Sequence, residues 1–117
     1  MKIKTIVSLL NARVHTGNEE LLETEVKTAC GSDMMSDVLA FVKDQAVLLS
    51  GLINTQVIRT ADMMDMRCIV IVRSKKPSDD MIALAEESGI VLLSTDALMY
   101  EACGILYTSG LGVAHSS

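Results

Sequence analysis

The sequence predicts an α/β fold: a single compact domain on a largely parallel sheet with helices on both faces. Three observations lead there. The runs "AVLLS", "RCIVIV" and "GIVLL" are short, apolar at consecutive positions and bounded by turn or polar residues, as strands buried on both faces are. Each run is followed by a segment whose apolar residues repeat at helical spacing. Strand and helix then alternate in the manner of right-handed βαβ units. A chain of 117 residues fits one domain. We place that domain at residues 1–111 and read residues 112–117 as a fraying C-terminal tail.

The elements follow in order. "IKTIVSLLN" is apolar at positions 3, 6, 7, 9 and 10 and reads as a short helix. "ARVHT" reads as a strand closed by Gly17 and Asn18. In "EVKTACG" the alternation of Val26, Thr28 and Cys30 predicts a second strand. Ser32 or Asp33 can cap a following helix that runs to about Val42. The three apolar strands are then each succeeded by a helix. The first spans residues 54–64 with Val57, Ile58 and Ala61 inward, the second residues 78–88 with Met81 and Ala85 inward. The third spans residues 95–107 with Ala102, Cys103 and Leu106 inward.

Half of the sequence is hydrophobic, yet it holds one Phe, two Tyr, no Trp and eight Met. Its core is therefore aliphatic and Met-rich. A small domain leaves much apolar surface uncovered, and self-association is the common way to cover it, so a homodimer is expected. The net charge of −5 and the lack of an aromatic surface exclude a typical nucleic-acid binder. No stretch approaches the roughly 18 apolar residues of a membrane span. The apolar run before Asn11 is also shorter than the roughly 7–15 residues of a secretory signal. A cytoplasmic protein is expected. Cys30, Cys68 and Cys103 are widely separated with no C-x-x-C spacing, which supports neither a metal site nor a disulfide framework. They read as buried small hydrophobes in a reducing compartment.

In an open parallel sheet the strand-to-helix loops gather at the carboxyl ends of the strands, where ligands bind. Here those loops are "LLSGLINT", "VRSKKPSDD" and "LLSTDAL". Helix N-termini in such loops present unpaired N–H groups and partial positive charge. The candidate ligand-binding residues are Ser50, Gly51, Asn54, Thr55, Arg73, Ser74, Lys75, Ser94 and Thr95. Arg73 can fork onto a phosphate and Lys75 adds a point charge. Each loop also has a purely structural reading. Gly51 serves a tight turn, and Asn54, Thr55, Ser78, Ser94 or Thr95 can act as helix caps. Asp79 and Asp80 favour the helix dipole but repel a phosphate at that helix end, which moves any anion toward Arg73.

No catalytic constellation stands out. His15 and His115 accompany no nucleophile motif, and neither a P-loop nor a dinucleotide fingerprint occurs. No cofactor is expected. Asp33 and Asp37 stand four residues apart and can be read as an acid–base or metal pair, or as a cap and a solvated acid.

The order of elements in "SDMMSDVLAFVKDQAVLLSGLINTQVIRTADMMDMRCIVIVRSKKPSDDMIALAEESGIVLLSTDALMYEACGILY" resembles the DRTGG-domain family. The resemblance covers residues 1–111 and is also similar in organisation to the N-terminal domain of HPr kinase/phosphorylase. The family's Asp-Arg falls at Leu52 and Ile53, and its Thr-Gly-Gly falls at Val72, Arg73 and Ser74. Neither patch is retained, whereas Pro77, the acidic helix start and "LLST" are. The resemblance implies a regulatory, dimeric, non-enzymatic module that binds an adenine nucleotide or another small anionic ligand. Larger relatives carry the domain beside phosphotransacetylase or CBS-pyrophosphatase modules. Small stand-alone members of anaerobes, encoded near iron-only hydrogenases, imply an alternative: a ligand-free interaction subunit in a redox or hydrogenase-linked system.

Overall fold

The architecture is taken from a computed structural model, which describes residues 1–42 and 46–113. The elements are α1 (Ile3–Leu10), β1 (Arg13–Thr16), α2 (Glu19–Leu22), β2 (Thr28–Gly31), α3 (Met35–Phe41) and β3 (Ala46–Ser50). They continue with α4 (Thr55–Met63), β4 (Cys68–Ile71), α5 (Asp79–Ser88), β5 (Val91–Ser94), α6 (Met99–Thr108) and β6 (Gly112–Val113). The sheet order is β1-β5-β4-β3-β2-β6. Every pairing is parallel except that of β1 with β5. The expected α/β fold is thus present.

Alternation along the strands builds two cores. Ala46, Leu48, Ile69, Ile71 and Leu92 face α3, α4 and α5. Val47, Leu49, Cys68, Val70 and Leu93 face α1 and α6. These strand residues are fully buried, which is why the segments carry no polar alternation. The chain steps from β2 through β5 in one direction, and the three intervening helices share a face. The α6 connection returns to the far side of β2, and its helix lies on the opposite face. Right-handed crossovers produce this outcome, because reversing the direction of travel reverses the side on which the helix lies. The loops after β4 and β5 therefore part to opposite faces, leaving the switch-point crevice between their strand ends.

Local chemistry accounts for the helix starts. The Asn54 side chain accepts from Gln56 N at 2.8 Å, and Ser78 Oγ accepts from Met81 N at 3.2 Å. Both caps match the sequence reading. Three features differ from it. The helix α2, capped by Asn18, was not anticipated. The last helix begins at Met99, so residues 95–98 are loop and not its first turn. The hydroxyl of Thr95 donates to Leu10 O at 2.7 Å and accepts from Ala97 N at 3.3 Å, a tie to a distant segment in place of a helix cap. Gly112 and Val113, read as the start of the tail, form β6 against β2. The close of α6 brings the chain to the exposed β2 edge, where Gly112 N donates to Lys27 O at 3.0 Å. Residues 114–117, including His115, lie outside the described residues.

The thiols are free and unequally covered. Cys68 is buried, and desolvation holds its thiol far above the ordinary range. Cys30 and Cys103 are only half-buried, a departure from the fully buried reading. Burial still raises both, and the neighbouring Cys103 and Asp37 raise Cys30 further. In the native state Cys68 is expected to react with a thiol reagent at least about 1,000-fold more slowly than after denaturation, because only the unfolded fraction exposes it. Time-resolved mass spectrometry after alkylation reads this directly. Equal rates in native and denatured protein would contradict the burial of β4.

Candidate functional site

The carboxyl ends of β2, β3, β4 and β5 bring four loops to one edge, one more than the sequence reading gathered. The additional loop carries Asp33. Its Oδ1 accepts from Gly51 N at 2.7 Å and from Ser50 Oγ at 3.0 Å, while Oδ2 stands 3.5 Å from Arg73 Nη2. Asp33 precedes the extended cap residue Met34 and lies outside α3. It neither caps that helix nor shares its face with Asp37, so the acid-pair reading is corrected. The signal that would have found Asp33 is the parallel pairing of β2 with β3, which sets Gly31 opposite Leu49 and so brings their following loops together.

Arg73 is held by shape as well as charge. Its guanidinium lies directly on Gly51, where an added Cβ would fall 2.8 Å from Arg73 Nε. Any larger residue at position 51 therefore displaces the arginine. Lys75 Nζ donates to Gly51 O at 2.9 Å, so both cations of this loop converge on the β3 turn. Ser50 Oγ also accepts from Leu52 N at 3.2 Å. Ser50, Gly51, Arg73 and Lys75 thus form one cluster around the Asp33 carboxylate.

The other candidates are placed differently. Ser74 Oγ donates to Asp96 at 3.0 Å, and the main chain is stitched across the crevice by Arg73 N to Ala97 O and Ser74 N to Thr95 O. These bonds hold Arg73 at φ 67° and Ser74 at φ 58°, a left-handed conformation that costs a non-glycine residue roughly 1–2 kcal/mol. Strain of this kind persists where the surroundings over-determine it, and it clusters at functional sites. Thr95 is adjacent but buried and engaged with Leu10. Asn54 and Thr55 stand at the start of α4, where Thr55 Oγ1 accepts from Arg59 at 3.1 Å. Ser94 Oγ lies 2.7 Å from His15 Nε2 on β1. Burial foremost, then the charges of Arg13 and Lys76, lower the His15 pKa and favour its neutral form. No carboxylate pairs with His15 among the described residues, so the contact lacks the orienting member of a catalytic triad. No group of His, Cys, Asp and Glu suited to a metal occurs among the described residues.

Asp33 should leave a pH signature. The Gly51 N–H bond foremost holds its carboxyl below the ordinary 3.8; burial, the next-largest influence, opposes it, and Ser50, Arg73 and Lys75 each add to the lowering. A depressed folded-state pKa means that the contribution to stability is complete above pH 3.8 and is lost as pH falls through the lower folded value. Asp33→Asn is expected to reduce the drop in stability between neutral pH and about pH 3. Urea unfolding of both proteins across this range measures it. Parallel pH profiles would contradict the assigned bonds.

No helix among the described residues is long and apolar enough to cross a membrane. A comparison with curated proteins matches none of them. Among solved structures, the chain is similar to the crystal structure of the CBS and DRTGG domains of the regulatory region of Clostridium perfringens pyrophosphatase, complexed with the activator diadenosine tetraphosphate. The TM-score is 0.77 at 17% identity, covering 99% of this chain and 50% of that one. The likeness is one of fold, and this chain spans half the length of its neighbour. A comparison with protein families matches residues 5–110 to the DRTGG domain. With nearly the whole sheet and all the strand-end loops inside that match, the chain belongs to the DRTGG-domain family.

Proposed function

We propose that this domain acts as a non-enzymatic regulatory module that binds a small anionic ligand, an adenine nucleotide in the first instance, and works as a cytoplasmic homodimer. One observation carries this reading: a backbone N–H, a hydroxyl and a guanidinium, from Gly51, Ser50 and Arg73, converge on a single carboxylate. Such a donor set suits an oxyanion of any origin. Asp33 marks the place a phosphate oxygen would take, and Lys75 can turn from Gly51 O toward the same charge. The ligand enters by displacing Asp33, whose half-exposed side chain has solvent to turn into once its three contacts are taken over. Family membership supports the regulatory role, and the nucleotide-bound regulatory region of similar fold supports the ligand class.

Thermal-shift measurements with nucleotides and phosphorylated metabolites at constant ionic strength test this. A ligand at 100 times its Kd adds about 2.7 kcal/mol to apparent stability. Absence of stabilisation by every anion tried would remove the ligand reading. A ligand-free interaction subunit, linked to a redox or hydrogenase system, is the second reading. The observation favouring it is the exposure of Tyr100 and Tyr107 on α6. It predicts a co-purifying protein and no nucleotide effect.

A further inference from the structure

Between α6 and β2 lies a groove of about 550 Å³ lined by Ala29, Gly31, Cys103, Gly104, Tyr107 and Leu111, with Tyr100 beside them. Tyr100 is 91% exposed and Tyr107 is 68% exposed. Tyr100, Gly104, Tyr107 and Thr108 fall on one stripe of the helix. Gly104 lies inside the helix, where glycine is unfavourable relative to alanine. Among the described residues nothing explains it: a Cβ added there meets none of their atoms within 4 Å. A glycine with no described neighbour to require it, in the lining of an apolar groove, points to close approach from outside.

We propose that this groove seats a second copy of the chain, the two α6 helices crossing antiparallel at Gly104. The proposal rests on the homodimer reading above and adds the surface. Self-complementarity selects this occupant. Tyr100 stands four residues before Gly104 and Tyr107 three after it. A two-fold axis at Gly104 therefore lays each Tyr100 against the region around Tyr107 of the partner subunit, as an isologous interface requires. The four tyrosines contribute about 500–800 Å² after allowing for their present exposure. That is a third to a half of the roughly 1,600 Å² of a standard interface.

A small ligand fits the groove less well, because it needs a few convergent polar groups. Thr108 Oγ1 already donates to Gly104 O at 2.9 Å, and Glu101 Oε1 accepts from Leu98 N at 3.3 Å. Among the described residues no basic residue lines the groove.

Sedimentation equilibrium of the full chain provides the test. The wild type should have twice the 12.6 kDa chain mass. Gly104→Arg, which places a good helix former at the crossing, should remain folded by circular dichroism and weaken dimerisation at least about 100-fold. Should that variant unfold, Gly104→Ala takes its place: it favours the helix and should still weaken the dimer, and an unchanged dimer affinity overturns the proposal. A dimeric, folded Gly104→Arg overturns the face but leaves the homodimer reading intact. A wild type that is monomeric at every concentration overturns both and leaves the groove to another occupant.

Discussion

Thr16→Val is expected to lower stability by about 2–4 kcal/mol, a large loss for a near-isosteric change. Thr16 is buried, and its hydroxyl donates to Ile90 O at 2.6 Å and accepts from Leu92 N at 2.9 Å. These bonds stitch the antiparallel β1 onto β5 where the register slips between Val14 and Thr16. Valine keeps the volume and β-branching but leaves a buried donor and a buried acceptor without a partner, at about 1–2 kcal/mol each, in the lower part of the usual range for neutral backbone groups. For 117 residues the unfolding entropy converts each kcal/mol into a Tm change of about 4 °C. A fall of about 8–16 °C should follow. Calorimetric unfolding checks it, and a Tm within 2 °C of wild type, about 0.5 kcal/mol, would show that Thr16 is not the stitch described.

The second large effect concerns affinity. Arg73→Gly combined with Lys75→Ala is expected to weaken anion binding by about 1.5–3 kcal/mol, roughly 10–150-fold. Glycine is the informative replacement. Arg73 and Ser74 both hold positive φ, and the family resemblance implies glycines at these two positions. The chain keeps a backbone that glycine adopts freely and places a guanidinium and a hydroxyl on it. Restoring glycine relieves the left-handed strain while adding flexibility to the unfolded chain, so stability should stay within about 1 kcal/mol. Isothermal titration then separates the two roles. An unaltered Kd means the guanidinium serves only the loop, and a collapse of stability means Arg73 is structural.

How much of this was legible differs element by element. The strands β3, β4 and β5 announced themselves because burial on both faces removes polar residues from them. Asn54 and Ser78 were legible because a cap is a local event, settled within three residues. What escaped is non-local or very short. Thr95 sits where a cap would, but its hydroxyl serves Leu10, 85 residues earlier. Two residues of β6 carry no periodicity and become a strand only because α6 returns them to β2. The four residues of α2 are likewise too few for a helical pattern.

The candidate site divides in the same way. Ser50, Gly51, Arg73 and Lys75 were legible as strand-end polar and basic residues, and they do come together. Asp33 was read through its own helix, because nothing near it in sequence shows that β2 lies beside β3. Ser94 was read as a loop hydroxyl, and the cross-sheet contact with His15 redirects it. In each case the deciding partner is remote in the chain.

The most direct test of the anion site is an amide NMR titration of the wild-type protein with ATP. The account predicts saturable shifts centred on Gly51, Arg73 and Ser74, with Gly51 N–H moving as Asp33 is displaced from it, and their loss in the Arg73→Gly, Lys75→Ala protein. An absence of shifts, or saturable shifts confined to the α6 groove, would contradict it.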